Sequence, residues 1–240
     1  MTVTVIEQDS IWRRAALFLN PSGWERDDHG RIRRGRWMAT FSGGKVWVLD
    51  PRADEIVFDD LCIGLAREWR FGRQTIGPYS VATHSVLVSM YCEQHATELG
   101  WSPGEIHEVA CEALLHDAAE AYLGDVPRPL KRERAMRGYK KVEDLWWTAI
   151  CKRFSLRPTR QSTALVKSVE TRLLIDEINS VMRDPSTWWR ARRYEGVEPL
   201  GAAIPCATWE QSAYLFASRF AELFPEESPT LDDCTSDQLN

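Results

Sequence analysis

The sequence lacks the features that would place the chain in a membrane or on a nucleic-acid polymer. Its apolar runs are all shorter than the roughly 18 residues that a membrane span requires, and Met1–Ser10 carries acidic residues where a secretory signal would be basic and apolar. The formal net charge is −5, whereas sequence-independent binding of nucleic acid needs a basic surface. We therefore expect a cytoplasmic protein with neither a membrane nor a nucleic-acid polymer as its partner.

Paired cysteines at metal-binding spacing and internal repeats are also missing. The six cysteines show no CxxC spacing, and several fall within apolar helical patterns, where a reduced thiol packs as a small hydrophobic group. The composition, with 44% hydrophobic and 27% charged residues, is that of a globular protein. A chain of 240 residues then favours one main domain with one active site.

The N-terminal part of the chain predicts little regular structure apart from one hairpin. Ile11–Leu19 could form a short helix, and the arginine-rich Glu25–Arg36 is interpreted as a solvated segment rich in turns. Two β-prone runs, Trp37–Phe41 and Lys45–Leu49, flank Ser42-Gly43-Gly44. This arrangement predicts a β-hairpin.

The rest of the chain predicts helices, because its apolar residues recur at helical spacing. The first helix starts near Asp59 or Asp60, either of which could cap it, and carries Leu61, Leu65 and Trp69 on one face. The later candidates, separated by glycine and proline, are Ser80–Leu99, Pro103–Leu123, Arg132–Phe154, Thr159–Met182 and Thr208–Phe224. We expect a mostly α fold, a helical bundle with a small N-terminal β-hairpin.

These patterns also suggest domain boundaries. Residues 1–36 form an N-terminal extension, residues 37–224 the helical domain, and residues 225–240 a polar tail that we expect to be mobile.

The most informative residues lie between positions 112 and 127. His116 and Asp117 are adjacent in the middle of an apolar helical pattern, and Glu120 follows one turn later, where burial is costly without a partner. A divalent metal is one such partner, since imidazole and carboxylate together suit first-row metals. His84, on the preceding predicted helix, could supply a second imidazole. Taken alone, His84 is weak evidence, because a single helical histidine is more often a hydrogen-bonded core or surface residue.

His84, the pair His116-Asp117, Glu120 and the run Gly124-Asp125-Val126-Pro127 together resemble the HD-domain metal-dependent phosphohydrolases. More narrowly, residues 79–86 and 114–125 resemble the bacterial 5′-deoxynucleotidase and phage nucleotide phosphohydrolase branch of that superfamily. The resemblance covers about residues 41–182 and is strongest over residues 70–131. It implies an HD-domain bundle that binds one divalent ion, with Mn, Co, Fe, Ni, Zn and Mg all left open.

The resemblance also assigns the metal ligands. It makes His84, His116 and Asp117 three of four ligands. At the fourth position the chain departs from the pattern, because Glu170 stands where an aspartate is usual. Asp176 is a rival on a different face of the predicted helix, so the fourth ligand stays open, with Glu170 preferred.

Further residues would bind the substrate or act on it. The resemblance makes Glu120 the general acid or base, places Asp125 near the sugar, and lets Arg70 and Phe71 contact the nucleotide, with Arg73 as second choice. Arginine suits phosphate because its planar fork matches two oxygens. Lys131 belongs to a basic run that could line the mouth of the cleft, namely Arg128, Lys131, Arg132 and Arg134. A solvated helix end is the alternative for these cations, and Glu108 and Glu112 are interpreted as helix surface.

The expected function is metal-dependent hydrolysis of phosphate from a small nucleotide, a deoxynucleoside mono- or triphosphate. One alternative is a nucleotide sensor that binds without turnover, suggested by glutamate at position 170. The other is a phosphodiesterase of the same superfamily, although His95 and His107 do not lie where a second metal site would need them. The sequence leaves a homodimer open.

Overall fold

Two short β-hairpins begin the part of the chain that the computed structural model describes, which is residues 24–183, 194 and 196–227. Strand β1 (Trp24–Arg26) pairs antiparallel with β2 (Ile32–Arg34), and β3 (Trp37–Ala39) pairs antiparallel with β4 (Lys45–Trp47). The β3–β4 hairpin is the predicted one, and Gly43 has a φ of 82° in its turn, a conformation that glycine adopts without strain. The predicted helix Ile11–Leu19 lies outside the described residues.

The β1–β2 hairpin corrects the expectation of a solvated Glu25–Arg36 segment. Arg33 is fully buried, and its guanidinium lies 4.1 Å from the ring centroid of Trp47. It forms ion pairs with Asp27, Asp50 and Glu55. An arginine is buried when carboxylates pair with it, and two of these partners lie 17 and 22 residues further along the chain. The sequence pattern around Arg33 therefore gave no sign of its burial.

The helices follow the hairpins. They are α1 (Phe58–Arg67), α2 (Val81–Glu98), α3 (Pro103–Leu115), α4 (Glu120–Leu123), α5 (Arg128–Lys131), α6 (Arg137–Arg153), α7 (Arg160–Val181) and α8 (Trp209–Leu223). The prediction of a mostly α bundle with a small N-terminal hairpin is confirmed. None of the described helices is both long and apolar enough to cross a membrane.

Several details of the predicted helices were wrong. Helix α1 ends at Arg67, before Trp69, and α6 begins at Arg137 instead of Arg132. The single helix expected over Pro103–Leu123 is interrupted between Leu115 and Glu120. Helix α1 begins after Val57, and neither aspartate caps it. Asp60 is instead buried and accepts hydrogen bonds from the backbone N and the Oγ of Ser42, at 2.7 and 3.1 Å, so it ties the β3–β4 hairpin to the bundle.

Helix α2 lies at the centre of the bundle and packs against α1, α3, α7 and α8. Small residues make this close packing feasible, since Ala82, Ser85, Ser89, Cys92 and Ala96 of α2 are all fully buried. None of the five cysteines among the described residues forms a disulfide, and Cys62, Cys92 and Cys111 are buried, in agreement with a packing role for these three. Because the first turns of α2 are buried, its His84 has no exposed surface.

Glu112 of α3 was wrongly assigned to the helix surface. It is buried and accepts hydrogen bonds from the hydroxyls of Ser162 and Thr163, the second at 2.6 Å. Glu108 is exposed, as expected.

The close approach of α1 to α4 yields a stability prediction. A Cβ added at Gly64 would lie 2.8 Å from the Cβ and 2.9 Å from the backbone O of Ala121. We expect Gly64→Ala to destabilise the protein by about 1–3 kcal/mol, because this overpacking outweighs the gain in helix propensity. Urea unfolding followed by circular dichroism would measure the change.

Gly104→Ala in α3 is the matched control, since a Cβ there meets nothing within 4 Å. It should leave stability unchanged or raise it by up to about 1 kcal/mol. Equal stability of the Gly64→Ala variant and the wild type would contradict the close packing.

Candidate metal centre and its pocket

Three predicted ligands meet at one point in the bundle. His84 lies in the first turn of α2, which Ser80 caps through a hydrogen bond to the backbone N of Thr83. His116 ends α3, and Asp117 follows it. One ligand atom from each of the three side chains lies within 4.8 Å of the other two, and the described residues contain no second such group.

The two imidazoles turn the same ring atom toward the carboxylate. Nε2 of His84 lies 3.7 Å from Oδ2 of Asp117, and Nε2 of His116 lies 3.2 Å from that oxygen. Both Nε2 atoms are buried and lack a hydrogen-bond partner among the described residues. A buried polar atom without a partner is rare in folded proteins, so this arrangement could hold a metal ion.

Hydrogen bonds on the far side of each ring fix its orientation. The Nδ1 of His116 lies 2.7 Å from the carbonyl O of Ala113, and the Nδ1 of His84 lies 2.5 Å from Oε1 of Glu177. A carbonyl or carboxylate oxygen accepts, so each Nδ1 is the donor. This leaves Nε2 of both rings available to bind a metal ion, and such supporting bonds are typical of metal-binding histidines.

The pKa of His116 is set by burial and by its neighbour Asp117. Burial lowers the pKa of this imidazole, but the Asp117 carboxylate outweighs burial and raises the pKa to about 9. The Nε2 of His116 would therefore exchange a proton for a metal ion on binding.

The interruption of the helix after Leu115 shapes the site. The backbone N of Ala118 bonds to the O of Leu115 at 3.0 Å, and the N of Glu120 to the O of Asp117 at 2.9 Å. These bonds span three residues and tighten the chain compared with an α-helix. Asp117 and Glu120 still line one pocket, but through a tight turn instead of the continuous helix expected from their spacing.

Glu177 of α7 is a site residue that the sequence analysis missed. It is fully buried and accepts hydrogen bonds from His84, from the hydroxyl of Tyr79 at 2.7 Å, and from Nη2 of Arg70 at 3.3 Å. Burial raises the pKa of Glu177, but the charge of Arg70 and the hydrogen bonds from His84 and Tyr79 lower the pKa to about 2. The available signal was its position two helical turns after Glu170, on the same face.

The two candidates for the fourth ligand differ in their surroundings. Asp176 accepts hydrogen bonds from the backbone N of Leu200 and Gly201, at 2.8 and 3.2 Å, and thus anchors that loop. Glu170 lines the same pocket as Asp117 without belonging to the three-residue group. Its carboxylate is held by Arg128 at 2.9 Å and Lys167 at 2.8 Å.

A pocket of about 480 Å³ is lined by Asp117 of the three-residue group, whereas His84 and His116 lie outside the lining. Of the predicted substrate-binding residues, Arg70, Phe71, Asp125 and Lys131 line it, whereas Arg73 is exposed and outside the lining. The remaining charged lining residues are Asp117, Glu120, Arg128, Arg132 and Glu170. Arg134 is not among them.

The pocket edge contains strained backbone. Phe71 and Arg73 have φ values of 56° and 67°, and Gly72 between them has 58°. Positive φ is unfavourable for residues other than glycine and clusters at functional sites. Arg70, just before this turn, donates hydrogen bonds to both Glu177 and Asp117. These bonds hold the start of the turn in place.

Glu120 combines burial with one unpaired oxygen. Its Oε1 accepts from Nζ of Lys131 at 2.9 Å, while Oε2 is buried and has no hydrogen-bond partner among the described residues. Burial and then the charge of Asp117 raise the pKa of Glu120 well above its usual range. A carboxyl group with a raised pKa is a candidate for proton transfer.

Comparisons with known proteins give two relatives of similar sequence. The chain is 31% identical over 188 residues to the uncharacterised protein YfdR of Escherichia coli (strain K12), covering 78% of this chain and 95% of YfdR. It is 34% identical over 149 residues to an uncharacterised protein of Rhodobacter capsulatus, covering 59% of this chain and 72% of that protein. No family model matches the chain.

One solved structure is similar over much of its length. It is the cyanophage S-2L HD phosphohydrolase DatZ, bound to dA and one catalytic Zn²⁺ ion. The similarity covers 71% of this chain and 98% of DatZ, with 17% sequence identity and a TM-score of 0.40. At this TM-score the similarity supports no conclusion about activity.

The role of Glu177 leads to a prediction about metal affinity. We expect Glu177→Gln to weaken binding of Mn²⁺ or Zn²⁺ by about 10–100-fold, because loss of the carboxylate makes His84 a poorer ligand. Isothermal titration calorimetry on protein shown to be folded by circular dichroism would measure the affinity.

Glu112→Gln is the matched control, because Glu112 is another buried carboxylate of the bundle that lies outside the pocket lining. It should lower stability and leave the metal affinity unchanged. Equal losses of affinity in both variants would rule out a specific support of His84 by Glu177.

Proposed function

From the premise that this chain belongs to the protein family of YfdR, we propose that it is a metal-dependent phosphohydrolase of the HD-domain superfamily that acts on a small nucleotide. One observation carries the proposal. Two buried imidazole Nε2 atoms without hydrogen-bond partners and the Asp117 carboxylate converge beside a pocket that Arg70 and Phe71 line. The resemblance of the His84 and His116-Asp117 motifs to that superfamily supports the same conclusion.

The residues present fit a divalent metal. His84, His116 and Asp117 would hold it, with Glu170 as the proposed fourth ligand. When bound, the ion would neutralise phosphate charge and lower the pKa of a bound water. Within the described residues there is no second group of ligands, and His95 is engaged with Arg172 at 2.7 Å. This favours a single ion over the two-metal phosphodiesterase alternative.

The remaining chemistry belongs to Glu120. Its Oε2 is buried and has no hydrogen-bond partner among the described residues, and its raised pKa suits a group that transfers a proton. We assign Glu120 the role of taking a proton from the attacking water or giving one to the leaving group. Lys131 holds the other oxygen in place.

The charge of the pocket favours one substrate class. Its lining contains four acidic and four basic side chains. A divalent ion would add two positive charges to this lining, and a phosphate monoester carries roughly two negative charges at neutral pH. A volume of about 480 Å³ lies in the usual range for small-molecule sites. We therefore favour a deoxynucleoside monophosphate over a triphosphate, with Asp125 near the sugar.

A nucleotide sensor is the second candidate function. The observation that favours it is the engagement of Glu170 by Arg128 and Lys167, since a ligand set of three would bind metal more weakly than a set of four. Such a protein would bind nucleotide without turnover.

The assignment of the fourth ligand can be tested directly. We expect Glu170→Gln to lower the affinity for Mn²⁺ or Co²⁺ at least about tenfold, because one charged ligand is lost. Asp176→Asn should leave that affinity unchanged and lower Tm, since Asp176 anchors the loop at Leu200. Calorimetric metal titration and thermal unfolding of both variants distinguish a metal ligand from a residue that anchors the loop. The reverse pattern would make Asp176 the ligand.

The activity itself is tested by phosphate release. The purified protein is screened against deoxy- and ribonucleoside mono-, di- and triphosphates with Mn²⁺, Co²⁺, Ni²⁺, Mg²⁺ or Zn²⁺. We expect release from deoxynucleoside monophosphates, loss of activity with a chelator, and loss of activity in His116→Ala and Asp117→Ala.

The same screen can contradict the proposal in two ways. Full activity of the His116→Ala and Asp117→Ala variants would remove the assigned site. Tight nucleotide binding with no release under any metal would favour the sensor.

A further inference from the structure

Lys131 lies between two carboxylates, and only one of them borders the pocket. Its Nζ is 2.9 Å from Oε1 of Glu120 and 2.9 Å from Oε1 of Glu143. Glu120 lines the pocket, whereas Glu143 does not. Burial lowers the pKa of Lys131, but the two carboxylates raise it well above its usual value, so the side chain stays charged. An ammonium with two such partners is engaged before any phosphate arrives.

Helix α6 presents one face to the segment that contains Glu120. Tyr139 donates its hydroxyl to the carbonyl O of Gly124 at 2.9 Å, and Trp146 stacks on Tyr122 with ring centroids 4.2 Å apart. Glu143 lies between them in sequence, and residues 139, 143 and 146 fall on one face of a helix. Three side chains of α6 thus hold residues 120–131 at separate points.

The contact between Glu143 and Lys131 affects the orientation of Glu120 in the pocket. A lysine side chain is a flexible stem with three donors, so a single carboxylate would restrain it little. Glu143 gives the ammonium a second fixed partner. Lys131 then keeps Oε1 of Glu120 occupied, and Oε2 remains the oxygen without a partner.

We propose that Glu143 is a positioning residue for Glu120 and that it acts through Lys131. The inference rests on the proposed function, since it assumes that Glu120 transfers a proton. It also replaces the direct contact of Lys131 with substrate, expected from the sequence, by a supporting role. No local motif marks Glu143, because its importance comes only from the packing of α6.

The test compares Glu143→Gln with Asp144→Asn. Asp144 is the neighbouring acid on α6 and pairs with the exposed Lys140, so its variant controls for loss of one charge. With the metal and nucleotide that give the highest phosphate release, Glu143→Gln should lower kcat about tenfold and leave KM within about twofold. Asp144→Asn should change neither constant. A rise in KM at constant kcat would overturn the proposal, because Lys131 would then bind substrate.

A double-mutant cycle separates positioning from general damage. In a Glu120→Gln background, Glu143→Gln should lower kcat by less than about twofold further, because the residue that it positions is already disabled. A tenfold loss in both backgrounds would mean that Glu143 acts on something other than Glu120.

Thermal unfolding tests the interaction between Glu143 and Lys131 without requiring turnover. Glu143→Gln should lower Tm in the wild-type background and have no effect in a Lys131→Met background. Equal shifts in both backgrounds would overturn the link through Lys131. If the wild type releases no phosphate from any nucleotide, the proposed function fails, while the Tm cycle still decides whether Glu143 acts through Lys131.

Discussion

The centre of this bundle depends on the hydrogen bonds and ion pairs that the buried carboxylate of Glu177 makes. A buried charge is costly unless it is paired and hydrogen-bonded, and Glu177 meets this condition through His84, Tyr79 and Arg70. These partners come from α2 and from the chain before it, and Arg70 then reaches Asp117 after α3. Any shift of α7 against α2 would leave one of these charges without its partner. The requirement to pair one carboxylate thus fixes the positions of two of the candidate ligands.

Much of this arrangement could be predicted from local pattern. The long helices follow from apolar spacing and from glycine and proline between them, apart from the break after Leu115, and His84, His116 and Asp117 follow from their order along the chain. Each of these signals lies within a few residues of the feature it marks. A helix that is buried on one face, or a His-Asp pair inside an apolar run, shows its environment in its own neighbours.

The features that were missed depend on partners far apart in sequence. Arg33 is buried because Asp50 and Glu55 reach it from the following loop, and Glu112 is buried because α7 brings two hydroxyls to it. Glu177 likewise gains its role from a residue 93 positions away. Apart from the spacing of Glu177 from Glu170, the neighbouring sequence gives no sign of such pairing, because the partners lie far away along the chain. Tertiary contacts therefore determine whether these charged residues are buried and paired.

The pocket likewise combines residues that a local motif marks with residues that depend on distant parts of the chain. The first group could carry the chemistry, and the second group orients it. Apart from the proposed ligand Glu170, the atoms that could bind metal or move a proton belong to His84 and to the short segment around His116, which a motif can mark. Their orientation comes from α7 through Glu177 and from α6 through Glu143, neither of which any motif marks. A ligand atom misplaced by about 1 Å can cost a large part of a reaction rate. Relatives that keep the motif but alter α6 or α7 should therefore differ in activity although their candidate ligands are identical.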